Sequence, residues 1–310
     1  MTRAELVEAS RISIARGSKS FAAASKLFDR ATRERAWLLY AWCRRCDDIA
    51  DGQEGGGTLS AVADAPARVA ELRALTEAAL AGEATGEPAF DALALVAAET
   101  RLPAAWARDM IAGFELDAQG WQPRTTADLH QYCYHVAGVV GCMMAVIMGV
   151  SPDDDATLDR ACDLGMAFQL ANIARDVAED AAAGRCYLPA EWRAEMDMPP
   201  GEFIKSHYRP RLAVLALRLT REAARFEDSA RCGTPALSLR SAWAVLAATE
   251  IYGAIGRMVA ARGARAWDRR VTTTKREKAV FITRAALQAT RRCALYSAEP
   301  RDPSLWTRPR

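Results

Sequence analysis

Nine stretches of this 310-residue chain space their apolar residues three and four apart: 32–51, 59–82, 89–99, 103–118, 128–149, 155–181, 208–229, 237–262 and 273–296. That is the period of a helix with one buried face. Alternating β-branched runs, the mark of a half-buried strand, are scarce. The gaps carry turn and helix-stop residues, among them "GQEGGGT" at 52–58, "AGEATGEP" at 81–88, "GRCYLPAEW" at 184–192 and "MDMPPGE" at 196–202. An all-α fold of nine or ten helices is expected. No short repeat and no long linker interrupts it, so a single domain over 1–310 is expected. With 51% hydrophobic residues, the chain can fill one sizeable core.

Composition excludes several function classes. The 41 basic and 39 acidic residues nearly cancel, so the chain as a whole is no nucleic-acid binder. The N-terminus "MTRAELVEASRIS" lacks the apolar core of a secretory signal, so the eight cysteines are expected to be reduced and mostly buried as small apolar residues. The longest apolar run, "VAGVVGCMMAVIMGV" at 136–150, falls short of the roughly 18–20 residues that span a bilayer, and reads as a buried helix.

Two acidic clusters stand out. In "YAWCRRCDDIAD" (40–51), Asp47, Asp48 and Asp51 crowd one side of a helix near its C-terminal end. The helix dipole and like-charge repulsion both disfavour negative charge there. In "DLGMAFQLANIARDVAED" (163–180), Gln169, Asn172, Asp176 and Asp180 form one polar stripe on an otherwise apolar helix. Asp176 and Asp180 repeat the i, i+4 spacing of Asp47 and Asp51. Buried oxygen ligands are costly without a balancing charge. Mg2+ suits them, because it is usually held by one or two carboxylates plus substrate phosphates. The competing reading is two solvated acidic helix faces. The pair Cys43 and Cys46 lacks a second ligand pair for zinc and the βαβ setting of a redox motif, so it reads as packing. "SPDDD" at 151–155 reads as a helix start.

These residues resemble the squalene/phytoene synthase family, and within it the bacterial phytoene synthases. The resemblance runs from "GSKSF" (17–21) to "RAWDRRV" (265–271), through "YCYHVAGVVG" and "QLANIARDVAEDAAAGRCYLP". It implies the all-α isoprenoid synthase fold, with a cavity between two aspartate-rich helices. Asp47, Asp48 and Asp51 would form one Mg2+–diphosphate motif; Asn172, Asp176 and Asp180 would form the other, with Gln169 nearby. Arg44 and Arg175 would touch diphosphate oxygens, a task suited to a planar guanidinium. Ser18, Lys19 and Ser20 would form a flap over the diphosphate, and Tyr252 and Arg269 would line the site. Tyr134 is the candidate for proton handling or cation stabilisation, against a packed core tyrosine. The released diphosphate is the alternative base.

The implied reaction joins two geranylgeranyl diphosphates head to head, through a cyclopropyl intermediate, to phytoene, the first committed step of carotenoid biosynthesis. The expected cofactor is Mg2+, with Mn2+ as a substitute and no NADPH. A farnesyl diphosphate-using dehydrosqualene or squalene synthase remains open, since residues alone do not give cavity depth. A non-catalytic helical scaffold is the alternative of a different class. Eight basic residues fall within 257–278 (Arg257, Arg262, Arg265, Arg269, Arg270, Lys275, Arg276 and Lys278). They read either as a solvated face or as contact with anionic lipid. The expected location is cytoplasmic, with peripheral contact on the inner face of the membrane and handover of product to downstream carotenoid enzymes. His130, His135 and His207 are expected to pack or hydrogen-bond rather than bind metal.

Overall fold

The computed structural model describes residues 1–52, 64–296 and 299–310, apart from the side chains of Lys19, Ser20 and Ala23. Among the described residues there is no strand. In chain order the helices are α1 (Arg3–Gly17), α2 (Lys19–Ala24), α3 (Arg30–Asp51), α4 (Ala65–Leu80), α5 (Pro88–Thr100), α6 (Ala104–Ala118) and α7 (Thr126–Cys133). There follow α8 (Val139–Ile147), α9 (Asp155–Ala182), α10 (Ala190–Glu195), α11 (Arg209–Arg231), α12 (Leu239–Arg262), α13 (Lys275–Thr290) and α14 (Arg292–Leu295).

Local chemistry sets the ends of the two acid-bearing helices. Asp29 caps α3 by accepting from the Thr32 amide at 3.0 Å, and Gly52 ends it in the left-handed region at φ 64°. Asp154 caps α9 by accepting from the Thr157 amide at 3.1 Å, so "SPDDD" is a helix start. Helix α9 is the central element, packed against α8, α11 and α12. The core around it is apolar and includes Trp42, Phe90, Trp192 and Phe226.

Three differences from the expected elements have physical causes. Helix α1 escaped notice because it buries only Leu6, Ser10 and Ile14, too thin a stripe to show apolar periodicity. The expected helix 128–149 is two helices joined by a five-residue π turn, Tyr134–Gly138. Such turns occur often at functional sites. The predicted 59–82 helix is Ala65–Leu80, and residues 53–63 lie outside the described residues.

The π turn and α8 press on α9 with almost no side chain between them. A Cβ on Gly165 would stand 2.2 Å from the Ala137 carbonyl oxygen, and one on Gly141 would stand 2.2 Å from that of Ala161. Backbone cannot yield as a flexible side chain can, so both positions need glycine.

The C-terminal segment fastens along the start of α9. Arg301 grips the buried Asp163 carboxylate through Nε at 2.8 Å and Nη2 at 2.7 Å. Arg308 bonds Asp159 at 2.9 Å, and Leu305 is buried beside them. A buried carboxylate is tolerable only with such a partner. By length and composition the stretch Leu239–Arg265 could cross a membrane, yet half of its most apolar window is buried, packed against α9, α11 and α13.

Gly165→Ala should destabilise the protein by about 1–3 kcal/mol through overpacking at the helix crossing. Urea unfolding followed by helical circular dichroism checks this, and an unchanged midpoint would refute the crossing geometry.

Candidate active site

A cavity of about 1000 Å³ lies between the C-terminal ends of α3 and α9, with α6 along a third side. Five carboxylates line it: Asp47 and Asp51 from α3, Asp117 from α6, and Asp176 and Asp180 from α9. Four guanidiniums line it too: Arg44, Arg175, Arg185 and Arg270. The two predicted motifs therefore face one space, as their matched spacing suggested.

Guanidiniums hold several of these acids. Arg175 takes Asp176 bidentately, at 2.7 and 2.5 Å. Arg270 also bonds Asp176 at 3.1 Å, and pairs with Glu179. Arg185 bonds Asp51 at 2.7 Å. It stands just past α9, where Gly184 turns the chain at φ 76°, so it spans the gap between the two motifs. Asp47 and Asp180 have no such close partner. Burial, chiefly, pushes Asp47 up to about 7, against the pull of Arg44 and reinforced by Asp51 and Asp48. Half of the Asp47 side chain is open to the cavity, so water there screens part of this effect. Burial and then Asp176 push Asp180 up to about 7.

Oxygen donors meet unmet demand at this site. Among the described residues, no three acidic, histidine or cysteine side chains converge as a ready metal cluster. The Asn172 side-chain oxygen is buried without a hydrogen-bond partner, on the same face of α9 as Asp176. The Arg44 Nε–H is buried without an acceptor. The site thus pairs an unused acceptor and crowded carboxylates with an unused donor. A hard cation with a polyanion satisfies all three, so the residues fit Mg2+ carried by a diphosphate.

Several predicted residues sit elsewhere. Asp48 is on the far side of α3 and does not line the cavity; it bonds Arg44 at 2.5 Å and orients that guanidinium. Tyr134 is a core residue, 1% exposed, donating to Asp109 at 2.6 Å and packed on Trp306. Of the two tyrosines in this stretch, the one that lines the cavity is Tyr132, two residues earlier. It stacks on Tyr187 at 4.7 Å, and both hydroxyls donate to Asp117, at 2.9 and 2.8 Å. Arg269 is exposed and outside the cavity, its carbonyl accepting from Arg262, while its neighbour Arg270 points in. This segment is not helical, so no period in the sequence tells the two apart. Ser18, Gln169 and Tyr252 line the cavity. The side chains of Lys19 and Ser20 lie outside the described residues.

Sequence reasoning missed Asp117, Tyr132, Arg185 and Tyr187. Tyr132 had a signal, since it shares a face with Val136 and Val140, which also line the cavity. A second space of about 310 Å³ adjoins the first, sharing Val140 and Tyr252. Its wall is almost wholly apolar, formed by α8, α9 and α12. The run 136–150 supplies Val140, Met144 and Met148 to it.

Three comparisons bear on the site. The family model for squalene/phytoene synthase matches residues 14–277. A 15-cis-phytoene synthase of Enterobacter agglomerans is 47% identical over 296 residues, covering 94% of this chain and 99% of its own. One from a Paracoccus strain is 44% identical, covering 98% of each chain. The crystal structure of a dehydrosqualene synthase in complex with ligand superposes with a TM-score of 0.82 at 25% identity, covering 93% of this chain and 98% of that one.

The raised carboxyls give a pH dependence. Asp47 and Asp180 bind protons more tightly folded than unfolded, so their contribution to stability is present at low pH and is lost as pH rises from about 4 through 7. The Tm of metal-free protein should therefore fall from about pH 5 to about pH 8, and less steeply in Asp180→Asn. Differential scanning calorimetry checks this; an identical slope in wild type and variant would contradict the placement of Asp180.

Proposed function

We propose, since the chain belongs to the squalene/phytoene synthase family, that it joins two geranylgeranyl diphosphates head to head to give phytoene and diphosphate. It is a prenyltransferase. The observation that carries the reading is the pairing of a cavity lined by five carboxylates and four guanidiniums with an adjoining apolar channel. A prenyl diphosphate has those two halves.

Asp47, Asp51, Asn172, Asp176 and Asp180 would hold Mg2+, which would neutralise the leaving diphosphate as its C–O bond breaks. Arg44, Arg175, Arg185 and Arg270 are poised to exchange carboxylate for phosphate oxygens as substrate enters. Asp48 keeps Arg44 aimed at the cavity. Loss of diphosphate leaves an allylic cation, which the C2=C3 double bond of the second substrate attacks. Proton loss closes a cyclopropane. A second ionisation rearranges the ring, and a last proton loss ends the sequence without a reductant.

Tyr132 is stacked between Trp121 and Tyr187, so of this pair we assign cation stabilisation to Tyr187, which also lines the cavity. Tyr132 donates its hydroxyl proton to Asp117, which holds that hydroxyl at the cavity wall, and the released diphosphate is the base for the departing proton. The apolar channel shields the cations from water, which would trap them as alcohols.

The test is incubation of purified protein with geranylgeranyl diphosphate and Mg2+, with and without NADPH, and mass analysis of the product. Phytoene in both arms is expected. Asp51→Ala and Asp176→Ala should each lower turnover at least ~100-fold with unchanged helical circular dichroism. Near-normal turnover in either would sink the two-motif arrangement.

Peripheral membrane contact belongs to the same reading. Helix α13 exposes Val280 and Leu287 on the face that carries Arg276 and Arg284. Apolar side chains ringed by arginine suit an anionic bilayer surface. Flotation with phosphatidylglycerol vesicles at low salt should recover the protein, and Val280→Glu with Leu287→Glu should release it. No flotation of wild type at low salt would contradict this surface.

A further inference from the structure

One ionised side chain interrupts the wall of the apolar channel. Arg160 stands near the start of α9, with its stem along the channel and against Gly233. Its Nη1 donates to the Ser229 carbonyl at 3.2 Å and to Ser229 Oγ at 2.9 Å. Its Nη2 donates to the Glu299 carbonyl at 2.5 Å. All three acceptors are neutral oxygens, from the last turn of α11 and from the C-terminal segment. The same Ser229 hydroxyl bonds Asp163, which Arg301 grips. The guanidinium is thus tied into a network joining three parts of the chain.

Its place along the channel is informative. The mouth is at Val140 and Tyr252, which also line the acidic cavity, and Phe168 stacks on Tyr252 at 4.1 Å. From Phe168 the wall runs back along α9 through Leu164 and Ala161 to Arg160 and Thr157. Arg160 comes sixteen residues before Asp176. At a rise of 1.5 Å per residue the two are about 24 Å apart. An extended geranylgeranyl chain, advancing about 1.25 Å per carbon–carbon bond along a zigzag, is on the order of 20 Å long. One further isoprene unit adds about 5 Å and overruns the position of Arg160.

We infer that Arg160 is the stop at the deep end of the channel and sets the longest prenyl chain that the enzyme admits. The inference rests on the prenyl diphosphate reading above. A longer tail must drive apolar methyl groups against a charged group, or break the three hydrogen bonds that hold the guanidinium in place. The C-terminal segment takes part, because Glu299 supplies one acceptor and Arg301 holds Asp163 in place.

The test measures diphosphate release from geranylgeranyl and geranylfarnesyl diphosphate, each with Mg2+. Wild type is expected to turn over the first and to discriminate strongly against the second. In Arg160→Ala the ratio of kcat/KM for the longer to the shorter substrate should rise at least tenfold. A ratio within twofold of wild type, in folded Arg160→Ala, would overturn the inference. If Arg160→Ala does not fold, Thr157→Phe carries the test from the other side. Bulk beside Arg160 shortens the channel, so preference for farnesyl over geranylgeranyl diphosphate should rise at least fivefold, and an unchanged preference overturns the inference. If wild type releases diphosphate from none of these substrates, the prenyltransferase reading has failed instead, so the two failures are distinct.

Discussion

The structure depends on the compensation of negative charge inside a helical bundle. Five carboxylates face one cavity, and those on α3 and α9 sit at C-terminal helix ends, where the backbone dipole adds to their repulsion. Alone, such a cluster would be protonated or would force the helices apart. Guanidiniums prevent this, and they also fix the geometry: Arg175 straps Asp176, and Arg185 ties the region after α9 to the end of α3. The compensation is incomplete. Asp47 and Asp180 stay raised, Asn172 keeps an unused oxygen, and Arg44 keeps an unused N–H. In the function proposed above, a magnesium–diphosphate unit would satisfy this residual demand, and the imbalance in the free protein would then become affinity for substrate.

Polar and apolar tasks are separated in space but share residues at the boundary. Tyr252 belongs to both walls, stacked on Phe168 and adjacent to Arg175. For the proposed substrate, the reactive carbons would meet the charged cavity at one end while the tails lie in the apolar channel. The close crossing of α8 and α9 serves this division. With Gly141 and Gly165 at the contact, the two backbones meet directly where both residues line the channel.

Much of this was legible in the sequence, for a reason that also marks where legibility ends. Spacing within one helix is fixed by the backbone, so Asp47 with Asp51, and Asn172 with Asp176 and Asp180, could be placed together from their numbers alone. The all-α class followed from the same periodicity. Asp48 shows the first limit: neighbouring residues on a helix point about a quarter-turn apart, and only packing decides which one faces the site. Tyr134 and Tyr132 show the second, because a π turn at Tyr134–Gly138 changes the helical phase where the choice had to be made. Arg185 and Arg270 show the third. Both lie outside helices, where direction is set by a glycine turn or by tertiary contacts rather than by a period.

Helix α9 carries the cavity-facing acids near one end and Arg160 near the other, in one continuous element of 28 residues. One turn of an α-helix advances about 5.4 Å, close to the roughly 5 Å that one isoprene unit occupies when extended. The helix is then a graduated scale, marked in units of the substrate. Moving a blocking side chain by one turn along it changes the admitted tail by one unit. Smaller moves change which wall the block stands on, since they also rotate it about the axis. If Arg160 is the stop, chain length within such a frame would change in whole isoprene steps, while the charged cavity at the other end of the scale is left untouched.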